Sequence, residues 1–278
     1  MLNTIVYVNG EFLKQKDAFI PFNDGGFQYG DGLFETIRFN NRKIYYVKKH
    51  LERLNNGLKI LDLKLNHNED EIILLLNRLI MMNELESGLL RLMVTRGVIE
   101  GTPWNYKGAS CIYISIRPLS KLPKEPVKIV FLKEKDFPII RFSPAIKSMN
   151  YIGNMKAKKI AEGLDAFEPV FINNNNYITE CAIRNIFFIK NNVLLTPTLE
   201  LGVLPGVMRS TILSIAKQIG MEVKETYIDY KNIDSMNESF ISSTGIGLLP
   251  CFWENWNSQF IITKKIAKKL NQKINLID

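Results

Sequence analysis

Histidine and cysteine are scarce in this chain of 278 residues, with two and three copies respectively. Cys111, Cys181 and Cys251 lie far apart, and no Cys-x-x-Cys pair occurs. That pattern excludes a disulfide framework and a zinc site of ordinary ligand spacing, and it points to a reducing, cytoplasmic setting. Long apolar runs are missing too. The longest uncharged stretch, residues 239–253, covers 15 positions and contains glycine and proline, whereas a membrane-spanning helix needs about 20 apolar residues. Residues 1–4 show no basic region leading into an apolar segment, so no secretory leader is expected. Of the two histidines, His67 sits in a polar, turn-like stretch and His50 on an amphipathic helical one, where a structural role is expected. A Ser-His-Asp or Cys-His nucleophile therefore finds no support, and no metal site is expected.

What is present is ordinary for a globular protein. Hydrophobic residues make up 46% and charged residues 23%, enough to bury a substantial core. The net charge of +8 is dispersed. Its densest cluster, Lys264, Lys265, Lys268 and Lys269, falls on a C-terminal helical stretch and reads as a solvated face. No nucleic-acid module is recognisable. A positive balance suits an enzyme of small anionic substrates, because it raises their local concentration.

Along the chain, Asn9-Gly10 between apolar runs predicts a hairpin. Residues 33–39 read as a strand, turned back at Asn40-Asn41. Leu51, Leu54, Leu58 and Leu61 recur at helical spacing over 47–61, and residues 69–82 form a second amphipathic helix. Strands are expected at 89–95 and 109–116. Three prolines in residues 117–126 mark a domain boundary. Beyond it come strands at 127–132, 169–173, 183–189, 193–195 and 239–243, and helices at 150–163 and 206–218. The mixture lacks a regular βαβ rhythm and predicts an α+β fold. The expected division is a small N-terminal domain (1–118), a linker (119–126) and a larger domain (127–278).

Two glycine-containing stretches read as candidate sites, and only the second suits an anion. Residues 26–32, Gly-Phe-Gln-Tyr-Gly-Asp-Gly, precede a strand and so do not fit a dinucleotide or P-loop fingerprint; they read either as a tight loop or as a pocket wall with Tyr29 inward. In Leu-Pro-Gly-Val-Met-Arg (204–209), Gly206 and Val207 open a helix whose amides and dipole suit a phosphate, although any helix start looks alike. Ser243, Thr244 and Gly245 add hydroxyls and a flexible backbone.

Taken in order, six segments resemble the class IV (fold type IV) pyridoxal-phosphate enzymes. The segments are Tyr-Gly-Asp-Gly-Leu-Phe-Glu-Thr-Ile-Arg (29–38), His-Leu-Glu-Arg-Leu (50–54), Lys-Ser-Met-Asn-Tyr (147–151), Thr-Glu-Cys-Ala-Ile-Arg-Asn-Ile-Phe (179–187), Leu-Pro-Gly-Val-Met-Arg (204–209) and Ser-Ser-Thr-Gly (242–245). The family includes branched-chain aminotransferases, D-amino acid aminotransferases and aminodeoxychorismate lyase. The resemblance implies two domains, the larger one β-barrel-like with helices, and a homodimer with no nucleic-acid or membrane partner. It implies pyridoxal 5'-phosphate as cofactor and Lys147 as the Schiff-base lysine and catalytic residue. Glu180 would face the pyridine nitrogen and keep the ring electron-accepting. Arg53, Gly206, Val207 and Thr244 match phosphate contacts, and Tyr151 falls near the position of a tyrosine beside the ring hydroxyl. Tyr29, Phe34, Arg91 and Gly245 match positions lining the substrate pocket. Arg184 replaces a small or acidic residue and reads either as a carboxylate anchor or as a surface charge. The arginine and histidine that the D-amino acid enzymes place after Thr-Arg-Gly are absent after Thr95-Arg96-Gly97. The implied activity is amino-group transfer between an amino acid and a 2-oxo acid. The alternative is the lyase reaction, which yields 4-aminobenzoate and pyruvate.

Overall fold

In the computed structural model, which describes residues 3–105 and 108–275, the chain divides into two compact units. One comprises Met1–Ser120 with Ile146–Asn150, the other Lys121–Ala145 with Tyr151–Asp278.

The first unit opens with β1 (Ile5–Val8) and β2 (Glu11–Lys14), joined through Asn9 and Gly10 at φ 41° and 118°. Both turn residues are left-handed, the geometry that matches strand twist in a two-residue hairpin. After α1 (Gly25–Tyr29) come β3 (Gly32–Asn40), β4 (Lys43–Ile44), α2 (Val47–Ile60), α3 (Glu69–Met82), β5 (Ser87–Thr95) and β6 (Cys111–Pro118). The sheet runs β2-β1-β6-β5-β3-β4. Leu51, Leu54 and Leu58 of α2 and Ile72, Leu76 and Leu79 of α3 bury their apolar stripes against Ile37, Phe39, Leu90, Leu92, Ile112 and Ile114. A capping box starts α3: Glu71 N–H donates to Asn68 Oδ1 (3.0 Å) and Asn68 N–H to Glu71 Oε2 (2.8 Å).

In the second unit, β7 (Val127–Lys133) is followed by α4 (Ile152–Gly163), β8 (Glu168–Ile172), β9 (Ile178–Cys181), β10 (Asn185–Lys190), β11 (Val193–Pro197), α5 (Val207–Gln218), β12 (Glu222–Thr226), β13 (Glu238–Ser243), β14 (Gly247–Phe252) and α6 (Ile261–Asn275). The strands form one curled, half-barrel sheet in the order β12-β11-β10-β13-β14-β7-β8-β9. Within it Phe187 of β10 stacks on Phe240 of the neighbouring β13, with ring centroids 4.8 Å apart. The lysines at 264, 265, 268 and 269 are exposed on α6, and Glu238 accepts the amides of Ile262 (2.8 Å) and Thr263 (2.7 Å) at its start.

Two local expectations change. The glycine-rich stretch before β3 is not a loop throughout, because Gly25–Tyr29 makes a short helix capped by Asp24. Residues 146–150, Lys147 included, group with the first unit rather than with residues 127–278. The reason is backbone pairing: Phe34 N–H donates to Lys147 O and Met149 N–H to Gly32 O, each at 3.0 Å.

Among the described residues no helix is long and apolar enough to cross a membrane, and no cluster of His, Cys, Asp or Glu could hold a metal. Leu51 is fully buried where α2 meets β3. Leu51→Ala should lower the unfolding free energy by about 2–5 kcal/mol, read by urea denaturation; a loss under about 1 kcal/mol would show that this helix face contributes little.

Candidate active site

In the first unit the predicted residues gather around two neighbours on β3, Phe34 and Glu35, which point to opposite faces of the strand. On one face Phe34 is buried under two cations. The guanidinium carbon of Arg91 lies 3.7 Å from its ring centroid and Lys147 Nζ lies 4.5 Å from it. Both distances are within cation–π range. The Lys147 segment is braced further by Asn150, whose Nδ2–H₂ donates to Gly30 O (3.0 Å). Gly30 is left-handed (φ 67°), and a Cβ there would meet Asn150 Oδ1 at 2.6 Å, so only glycine fits this closure. Tyr29, immediately before it, is exposed.

On the opposite face α2 delivers His50 and Arg53, three residues apart and so on one side of the helix. Arg53 Nε–H donates to Glu35 Oε1 (2.8 Å) and its Nη2–H to Oε2 (2.6 Å), while His50 Nδ1 lies 2.7 Å from Oε2. Burial alone would raise the Glu35 pKa, but the Arg53 charge and the hydrogen bonds from His50 and Arg53 outweigh it and hold the carboxyl at about 2. Burial pushes the His50 pKa down, so the ring is neutral near pH 7 and must donate from Nδ1 to the ionised carboxylate.

In the second unit Glu180 sits on β9. Its Oε1 accepts from Arg141 Nη1 and its Oε2 from Leu204 N–H (3.2 Å). Arg141 is itself gripped by Glu134, with Nε–H to Oε1 at 3.0 Å and Nη2–H to Oε2 at 2.7 Å, and it also donates to Thr179 Oγ1 (3.1 Å). Burial works to lower the Arg141 pKa, but the Glu180 and Glu134 carboxylates hold it above its ordinary value. Two residues past Leu204, Gly206 opens α5 with no side chain capping it. A Cβ on Gly206 would sit 2.0 Å from Asn185 Oδ1, and Asn185 Nδ2–H₂ donates to Leu204 O (3.0 Å). Across the β10–β13 pairing Asn185 faces Ser242, whose buried hydroxyl has no partner among the described residues. Thr244 and Gly245 follow directly. Uncapped helix amides beside an unpaired hydroxyl fit a phosphate, and a carboxylate held two residues away fits a protonated ring nitrogen.

The profile of the family described as amino-transferase class IV matches residues 32–251. The chain belongs to the class IV aminotransferases. It is 31% identical to the D-alanine aminotransferase of Listeria monocytogenes over 253 residues, covering 88% of this chain and 86% of that one. It is 29% identical to the aminodeoxychorismate lyase of Bacillus subtilis over 252 residues, covering 88% and 85%. It shares the fold of the branched-chain amino acid aminotransferase of Escherichia coli, with a TM-score of 0.88 at 23% identity, covering 98% of this chain and 95% of that one. Class IV aminotransferases are pyridoxal-phosphate enzymes acting on amino acids and 2-oxo acids, and the family also contains aminodeoxychorismate lyase.

One assignment is corrected in this class IV chain. Arg184 is not a surface charge: its side chain is largely buried and its Nη1 pairs with Glu168, a fully buried carboxylate that also accepts Ile183 N–H (2.9 Å). Lys158 Nζ lies 3.8 Å from the same carboxylate, so Arg184 is one of two cations that answer this interior acid. Tyr151 donates to Ala182 O (3.3 Å), beside Asn154 Nδ2–H₂ at 2.7 Å, which ties the start of α4 to the turn after β9. Arg141 and Glu134 were not found from sequence, because they lie in irregular segments with no periodic signal. Glu35 does leave a signal, an acid among apolar neighbours in a strand.

The folded state keeps Glu35 ionised to lower pH than the unfolded chain does. Its stabilisation is complete above pH about 4.5 and is lost as the pH falls toward about 2. Glu35→Gln should be less stable at neutral pH and should lack this part of the acid transition. Urea melts across that window test this, and equal pH slopes in the two proteins would count against it.

Proposed function

We propose that this chain is an aminotransferase moving an amino group between an amino acid and a 2-oxo acid. The observation that carries the reading is that Lys147 and Arg91 both lie against the Phe34 ring, which brings an amine and a carboxylate-binding fork to one aromatic side chain. When bound, pyridoxal 5'-phosphate supplies an aldehyde for amine exchange and a ring that accepts electrons. Lys147 would hold that aldehyde through Nζ and, once freed as an amine, would take the substrate's α-proton and return it. Glu180, fixed by Arg141 and Leu204 N–H, would accept a hydrogen bond from the protonated ring nitrogen and so hold the proton there. Arg53, the amides of Gly206 and Val207, and the Thr244 hydroxyl hold the phosphate. Tyr151 would stand beside the ring hydroxyl. Tyr29, Phe34 and Gly245 line the substrate side, where Arg91 takes the carboxylate.

The alternative is aminodeoxychorismate lyase, releasing 4-aminobenzoate and pyruvate, which the similarity to the Bacillus subtilis lyase favours. Three unpaired, buried thiols support a reducing, cytoplasmic setting. The partner is a second copy of this chain, a reading supported by the exposed apolar side chains of Phe19, Ile20, Phe22 and Phe27 in the first unit.

In the pyridoxal-loaded protein, at least one amino acid should shift the visible absorbance to that of the pyridoxamine form. Borohydride should fix the cofactor to the peptide containing Lys147, and Lys147→Ala should lose both results. If no amino acid shifts the spectrum while aminodeoxychorismate yields pyruvate, the lyase reading replaces this one. Label on another residue would end both readings. Sedimentation equilibrium should give twice the 32.0 kDa chain mass; a monomer at micromolar concentration would remove the dimer.

A further inference from the structure

Arg53 is the member of its buried cluster that reaches the surface. Its side chain is 12% exposed, against 1% for Glu35 and none for His50. The cluster is saturated on the acid side: Oε1 takes Arg53 Nε–H, and Oε2 takes Arg53 Nη2–H together with His50 Nδ1–H. Stability does not account for this arrangement, since a buried ion pair gives little net gain over apolar side chains of similar volume. Geometry does. A guanidinium is planar, with two bidentate edges. A clamp on the Nε and Nη2 edge fixes the plane and therefore the direction in which the Nη1 and Nη2 edge faces. His50 completes the clamp without adding charge, because its ring is neutral, a state that Arg53 and Lys147 both favour after burial itself.

We propose that Glu35 and His50 are positioning residues that hold the Arg53 guanidinium in one orientation for the cofactor phosphate. Neither touches the cofactor, and both act through Arg53. The inference rests on the reading of Arg53 as a phosphate ligand. It differs from a purely structural role in one measurable respect. A structural defect weakens binding of pyridoxal 5'-phosphate and of pyridoxal alike, whereas a misaligned fork weakens only the phosphorylated form.

The test uses the apoprotein of the full chain and two probes, pyridoxal 5'-phosphate and pyridoxal, with dissociation constants from tryptophan fluorescence quenching. The contribution of Lys147 is common to both probes and cancels in their ratio. Arg53→Leu should collapse the preference for the phosphorylated probe. Glu35→Gln and His50→Leu should each reduce it about 10–100-fold, the range seen when outer-shell partners of metal ligands are removed. His50→Asn, whose amide can donate from the Nδ1 position, should recover most of it. In the Arg53→Leu background Glu35→Gln should cost nothing further. If Arg53→Leu keeps the wild-type preference, Arg53 is not a phosphate ligand and the inference falls with that reading. If Arg53→Leu loses the preference while cooperatively folding Glu35→Gln and His50→Leu keep it, the positioning role alone is overturned. Should Glu35→Gln fail to give a cooperative melt, the His50 pair decides: a wild-type preference in His50→Leu overturns the proposal.

Discussion

A buried carboxylate, Glu35, fixes how helix and sheet meet in the first unit. Glu35 lies in the middle of β3, where neighbouring inward positions are apolar, and an isolated charge there would cost far more than the fold could sustain. It survives because α2 brings an arginine and a neutral histidine to its two oxygens. The docking of α2 on β3 is thus fixed twice, by the leucine stripe and by three directional hydrogen bonds. Apolar packing tolerates small slides, but a bidentate pair does not. With β3 in place its other face presents Phe34, and the backbone of the strand holds Lys147 in register. One strand therefore carries the anchor for a candidate phosphate ligand and the seat for the candidate catalytic amine at successive positions.

The second unit solves a similar problem with the charges reversed. Arg141 is a half-buried cation there, and Glu134, Glu180 and Thr179 surround it. Glu180 consequently answers to an arginine on one oxygen and to a backbone amide on the other. That amide belongs to Leu204, whose carbonyl is held in turn by Asn185, against which Gly206 is pressed so closely that no side chain fits. The acid and the start of α5 are then linked by two residues, which span at most about 7 Å. The separation suits a small flat ring with a phosphate arm.

Much of this architecture was legible locally. The turn at Asn9-Gly10 is left-handed at both residues, as a short polar side chain followed by glycine favours. α2, α3 and α5 begin and end within about two residues of their periodic patterns. Three strands escaped the sequence reading for physical reasons. β12, Glu-Val-Lys-Glu-Thr, is a polar edge strand. β14 contains Gly247 and Pro250 and is a strand because β13 and β7 flank it. β9 is only four residues long.

The amino-acid sequence by itself determined the class of the fold, the helices and hairpins, and the motifs that place the chain among the class IV aminotransferases, because periodicity and turn chemistry act between near neighbours. Tertiary structure alone decided which charges are answered and by what. Glu35 and Arg53 are 18 positions apart, Arg141 and Glu180 39, and Arg184 and Glu168 16. Whether an arginine meets a ligand or an interior acid depends on where strands and helices bring such distant residues together, and no local pattern records that.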